Sequence, residues 1–154
     1  MDKQLQIWLD LEETIIDNWN DGYFLSKVTK IKNWLNTKQI VDINIWSYAI
    51  WDEDDKLYFQ KFYKIPIEDC LGYKIIEYPS VKDVQNFVYD YEKIRYESRT
   101  EFMTFNGKFL SFMKYGMTLK DKHIVLIDDA VPLSKLEFPK INVTIETLNV
   151  DCDI

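Results

Sequence analysis

Four short stretches of this chain carry residues that could do chemistry together. Asp10-Leu11-Glu12 follows the apolar run Gln4–Leu9, and Asp128-Asp129 follows the apolar run His123–Ile127. Ser47 ends a third apolar run, Val41–Trp46, and Lys108 opens an amphipathic stretch twenty residues before Asp128. Carboxylates, a hydroxyl and an ammonium in this order suit phosphoryl transfer to a carboxylate. That reaction needs a nucleophilic Asp and a metal to neutralise phosphate charge. It also needs a second acid to protonate the leaving oxygen and then activate water, with donors and a cation aimed at the phosphoryl oxygens. Asp10 fits the nucleophile and a metal ligand, and Glu12 the acid/base and a further ligand. Thr14 and Ser47 fit hydroxyls on the substrate phosphate, Lys108 the cation, and Asp128 with Asp129 the rest of the metal site. Mg²⁺ suits such a set, because it takes a few carboxylates together with substrate oxygens and water. Lys114 is the rival to Lys108.

These residues converge only if the elements carrying them do. Gln4–Leu9 reads as a buried parallel strand. Phe24, Val28, Ile31 and Leu35 recur at helical spacing. A second strand covers Val41–Trp46. Asp52-Glu53-Asp54-Asp55 reads either as the capped start of a helix running to Tyr63 or as a hairpin turn before Leu57-Tyr58-Phe59, with the helix favoured. Lys74–Tyr78 reads as a third strand. Ser80 with Asp83 forms an N-terminal cap for a helix whose apolar face is Val84, Phe87, Val88 and Tyr91. Another helix spans Gly107–Tyr115, His123–Ile127 is the fourth strand and Ile141–Ile145 the fifth. Strands alternating with helices predict an α/β fold with a mainly parallel sheet and one domain over residues 1–154. In such sheets ligands sit beyond the carboxyl ends of the strands, where Asp10, Ser47 and Asp128 all fall.

The set resembles the haloacid-dehalogenase (HAD) superfamily of phosphatases in content and order. The family's first motif, an apolar strand followed by Asp-x-Asp-x-Thr, is matched by Asp10-Leu11-Glu12-Glu13-Thr14. Its second, a strand ending in Thr or Ser, is matched by Ile43-Asn44-Ile45-Trp46-Ser47. Lys108-Phe109-Leu110-Ser111-Phe112 fits the place of its lysine, and Val125-Leu126-Ile127-Asp128-Asp129 its acidic pair. The resemblance spans residue 4 to about residue 135. It implies a three-layer Rossmann-like fold with helices on both faces, Mg²⁺, and an aspartyl-phosphate intermediate on Asp10. The chain departs from the family at Glu12, where the phosphatases carry Asp. The extra methylene moves the carboxyl by roughly 1.5 Å in a reaction that depends on close placement. Between Thr14 and Ser47 there is room for only a loop and one helix, so the resemblance implies a nearly capless form. Such a site would admit a large phosphorylated substrate, or a protein partner could supply the lid.

The 154 residues carry a net charge of −7. That balance opposes general nucleic-acid or anionic-membrane binding. No apolar window has the roughly 18 residues of a membrane span. No secretory signal opens the chain, and Cys70 and Cys152 lack any zinc-site spacing, so two reduced thiols in a cytoplasmic protein are expected. Abundant Lys, Asn, Ile, Asp and Tyr suit an AT-rich genome, bacteriophages included, and hence a bacterial or phage-infected cytoplasm. His123 reads as a surface or edge residue, Trp8 and Trp46 as core, and Trp51 as a ring that could line an open site. Three functions remain open: a phosphomonoesterase acting on a nucleotide, sugar phosphate or macromolecular phosphate; a binding or regulatory protein with a weakened site; and a nucleic-acid 3′-end phosphatase.

Overall fold

The computed structural model describes residues 4–154, the side chain of Val41 excepted. The sheet has five strands: β1 (Leu5–Leu9), β2 (Ile40–Ile45), β3 (Lys122–Asp128), β4 (Ser134–Phe138) and β5 (Val143–Asn149). Their order is β2-β1-β3-β5-β4. The pairs β1–β2, β1–β3 and β3–β5 are parallel, and β4 closes one edge antiparallel to β5. Helices α1 (Val28–Leu35), α2 (Glu53–Phe62), α3 (Lys64–Leu71), α4 (Val81–Glu92), α5 (Arg99–Phe105) and α6 (Lys108–Gly116) flank it. The result is a mixed α/β fold, broadly Rossmann-like, as the alternation predicts.

The strands alternate their side chains between two apolar layers. Ile7, Leu9, Ile43, Ile45, Val125 and Ile127 face α1, α2 and α3. Trp8, Trp46, Ile124, Leu126 and Ile145 face α4, α5 and α6. Trp8 is fully buried and meets Trp46 edge-on at 5.4 Å, with Phe112 and Tyr115 around them. These rings lie just before the polar strand ends and hold them by packing. Gly116 lets α6 lie flush on the sheet, since a Cβ there would collide with Ile145 and Ile124.

Asp52 caps α2 by accepting the Asp55 amide, so the acidic run starts a helix and not a hairpin. Ser80 and Asp83 make a reciprocal capping box on α4. Phe24 lies outside α1, paired instead with Ile16 across a short hairpin. The strand expected at Ile141–Ile145 starts two residues later and ends four later, at Val143–Asn149.

The third strand expected at Lys74–Tyr78 does not form. The segment touches β2 through one bridge, Ile43–Ile75, and two backbone bonds, from the Ile76 amide to the Ile43 carbonyl at 2.9 Å and from the Ile45 amide to the Glu77 carbonyl at 2.8 Å, while side chains take its other amides. The Glu68 carboxylate accepts the Ile75 amide at 2.7 Å and the Asn44 amide oxygen accepts the Glu77 amide at 3.0 Å. Alternation of Lys74-Ile75-Ile76-Glu77 resembles a strand, but only Ile75 of the four is buried. Three elements have no counterpart among the sequence expectations: α3, α5 and the edge strand β4.

Candidate metal and phosphoryl-transfer site

Parallel register brings the acidic strand ends together. Leu9 pairs with Ile127, so Asp10 leaves β1 beside Asp128 at the end of β3, and the Asp10 amide donates to the Ile127 carbonyl at 3.0 Å. On the other side the Trp46 amide donates to the Leu9 carbonyl at 2.9 Å, which sets Ser47 next to the same loop. After Asp10 the chain closes a tight turn on one acceptor: the Leu11 carbonyl receives the amides of Thr14, Ile15 and Ile16. Glu13 takes a left-handed conformation, φ 63°, to allow it. The turn aims the Thr14 hydroxyl back at Asp10, to which it donates at 3.2 Å.

The structure brings Asp10, Asp128 and Asp129 together, with one ligand oxygen from each inside a 4.8 Å cluster that can coordinate a metal ion. Asp10 and Asp128 are buried and Asp129 half-buried. The Lys108 ammonium sits between two of them, 2.9 Å from Asp10 and 3.1 Å from Asp128. The other Asp128 oxygen accepts the Ala130 amide at 2.8 Å, and the Asn149 side chain holds the Asp129 carbonyl at 3.0 Å. Burial pushes the Asp10 carboxyl far above its ordinary range, the Asp128 charge adds to this, and Lys108 offsets only part of it. Asp128 is raised for the same first reason. Burial pulls Lys108 down, but the two carboxylates outweigh it and hold it above its usual value. One cation facing three carboxylates leaves an excess of negative charge, which a divalent ion would neutralise.

Lys114 is elsewhere, bonded to Glu92 at 2.7 Å and to Asn106 at 2.6 Å. Ser47 is buried, and its oxygen accepts the Ala49 amide at 3.2 Å, leaving its hydrogen to donate. Glu12 is not part of the cluster: its carboxylate accepts the Trp19 amide at 2.9 Å and so pins the hairpin that runs from Ile16 to Phe24. His123 lies at the start of β3, at the opposite end from the site, bonded to Glu146 at 2.9 Å. Cys70 and Cys152 are free and exposed.

Sequence reasoning missed the support behind Lys108. Tyr48 donates from its hydroxyl to the Asn106 carbonyl at 2.9 Å and lies 2.6 Å from the Ser111 hydroxyl. Ser111 in turn donates to the Lys108 carbonyl at 3.2 Å. Burial pushes the Tyr48 hydroxyl up to about 12, so it stays a donor across the physiological range. The end of β2 is thereby tied to the first turn of α6. The spacing of Lys108 and Ser111, one helical turn, was the available signal. Tyr48→Phe is expected to cost about 1 kcal/mol of stability. It should leave divalent-metal affinity unchanged, because the Asp10–Asp128–Asp129 oxygens keep their places. Thermal melts and metal titration check this.

Among the described residues no helix is long and apolar enough to cross a membrane. The chain matches no protein-family model, no curated protein and no solved structure.

Proposed function

We propose that the protein is a Mg²⁺-dependent phosphohydrolase of HAD type, forming an aspartyl phosphate on Asp10. The observation that carries this reading is the buried cluster Asp10–Asp128–Asp129 at adjacent parallel strand ends, with Lys108 inserted between two of its carboxylates. The motif order supports it, as does an antiparallel strand confined to the sheet edge. Asp10, Asp128 and Asp129 would hold Mg²⁺, which on binding supplies positive charge to the phosphoryl group. The residues divide the remaining work. The Asp10 oxygen that Lys108 releases attacks phosphorus as the bond to the leaving oxygen breaks, Lys108 and the Ser47 hydroxyl bind non-bridging oxygens, and Thr14 holds the other Asp10 oxygen and so fixes its rotamer.

Glu12 acts as acid and base by exchanging its Trp19 hydrogen bond for one to the leaving oxygen. It shares the loop of Asp10 and is only half-buried, so the exchange needs no core movement. Glu12→Gln should reduce turnover by about 10²–10⁴ without weakening Mg²⁺ binding, as read by kinetics beside calorimetry. The connections above the strand ends leave little chain for a separate cap. The β1–α1 connection is a short hairpin and α5 is a single short helix. That openness favours a large substrate or a lid brought by a partner.

The decisive test is Mg²⁺-dependent phosphate release from p-nitrophenyl phosphate together with trapping of BeF₃⁻ on Asp10. Absence of both, with Mg²⁺ still bound, would overturn hydrolysis. The Glu12–Trp19 bond favours a second reading, a phosphate-binding or regulatory protein on the same fold. That reading gains if phosphomonoesters bind and are not turned over.

A further inference from the structure

The chain has only two arginines, Arg95 and Arg99, and both lie in the fifteen-residue segment that joins α4 to α6. Both are exposed, and both guanidinium groups lie over an aromatic ring: Arg95 is 4.1 Å from the centre of Tyr89 and Arg99 is 4.4 Å from that of Trp51. Neither is paired with a carboxylate among the described residues, although 26 acidic residues are present. The acids nearest Trp51 in sequence are already engaged, Asp52 with the Asp55 amide and Asp55 with the Trp51 amide. A guanidinium held over a ring face is restrained without using up its N–H donors, which can receive a phosphate in two parallel hydrogen bonds.

Arg99 is linked to the site through the loop that follows Ser47. Trp51 ends the loop that begins at Ser47, so it lies at most about 14 Å along the chain from that hydroxyl. Tyr48 of this loop packs on Phe102 and bonds to Asn106 at the other end of α5. Helix α5 therefore runs beside the loop, with Arg99 at one end and Lys108 just past the other. Nine positions separate the two cations, and the helical part of that span rises about 10 Å, room for two phosphates on one ligand.

We propose that Arg99, held on Trp51, is a specificity-determining residue that binds a second phosphate. The substrate class is then a phosphomonoester whose leaving group carries another phosphate, as in a nucleoside 3′,5′-bisphosphate or the phosphorylated end of an oligonucleotide. This rests on the phosphohydrolase reading of the site, but its binding part is separable from turnover. One exposed arginine also reconciles such a ligand with a net charge of −7, since it needs a local donor pair and not a basic surface.

The test compares the wild-type chain with Arg99→Gln in Mg²⁺, by calorimetry and by phosphate release. The ligands are adenosine 3′,5′-bisphosphate, adenosine 3′-monophosphate, a 3′-phosphorylated tetranucleotide and p-nitrophenyl phosphate. Loss of one charge-assisted pair should weaken the bisphosphate or the tetranucleotide about 10- to 100-fold, at least ten times more than it affects the two single-phosphate ligands. A selective loss for the bisphosphate identifies free nucleotides, and one for the tetranucleotide identifies polynucleotide ends. Equal effects on all four ligands, or none, would overturn the proposal. If wild type neither hydrolyses p-nitrophenyl phosphate nor traps BeF₃⁻ on Asp10, the phosphohydrolase reading fails, while the calorimetric comparison still decides the role of Arg99.

Discussion

Replacing Asp10 with Asn is expected to raise the melting temperature of the metal-free protein while abolishing its chemistry. Burial and the neighbouring Asp128 push the Asp10 carboxyl from 3.8 up to about 8. A folded-state value above the unfolded one means that the folded protein keeps a proton the unfolded chain gives up. Stability from this group is therefore full below about pH 4 and is lost as the pH rises to about 8. An amide at position 10 carries no charge at any pH, keeps the shape, and still accepts the Thr14 hydroxyl. Each kcal/mol is worth about 2–4 °C in a chain of this size, so Asp10→Asn should melt at least about 5 °C higher at pH 8.5 and close to wild type at pH 4.5. Mg²⁺ should reverse the order by stabilising the wild type more. Phosphate release should fall by at least about 10³-fold, the scale of losing a nucleophile. A variant as active as wild type would exclude the aspartyl phosphate, and an unchanged melting curve at pH 8.5 would mean that Asp10 is not under charge stress.

Lys108→Ala should act in the opposite direction. It removes the one cation placed between Asp10 and Asp128 and leaves both carboxylates buried. Breaking a buried pair from one side costs about 3–5 kcal/mol, so the metal-free variant should melt roughly 10 °C lower. Millimolar Mg²⁺ should recover much of that loss, because it neutralises the same oxygens, yet turnover should stay low. Lys114→Ala is the control. It also strands a half-buried acid, Glu92, but one outside the Asp10–Asp128–Asp129 cluster, and Mg²⁺ should not rescue it. Thermal melts of both variants with and without Mg²⁺ separate the two lysines; equal rescue would remove Lys108 from the site.

The strand ends were legible because burial on both faces writes near-continuous apolar runs, and each run stops at a polar residue. That made Asp10, Ser47 and Asp128 readable, together with the elements beneath them. The capping box at Ser80 and the cap at Asp52 were readable for a local reason, side-chain geometry within four residues. Glu12 was not fully readable. Its spacing from Asp10 matches the motif, but its carboxylate is engaged by Trp19, a contact with a loop no local pattern reveals. The Tyr48–Asn106–Ser111 link was hidden for a like reason, since it joins residues about sixty apart. Helix α5 is short, and β4 alternates half-buried and exposed residues, so neither carries a strong apolar stripe.

The incomplete strand at Lys74–Tyr78 bears on self-association. An exposed row of unpaired amides and carbonyls along β2 would invite a second molecule to add a strand. Here part of that row is used by a segment too irregular to be a template itself, with Glu68 and Asn44 satisfying its amides through side chains. At the far side of the sheet, β4 points Lys135 and Glu137 into solvent. Both borders of the sheet are thus poor partners for edge-to-edge growth, which protects a chain whose open, aromatic-rich surface would otherwise favour aggregation.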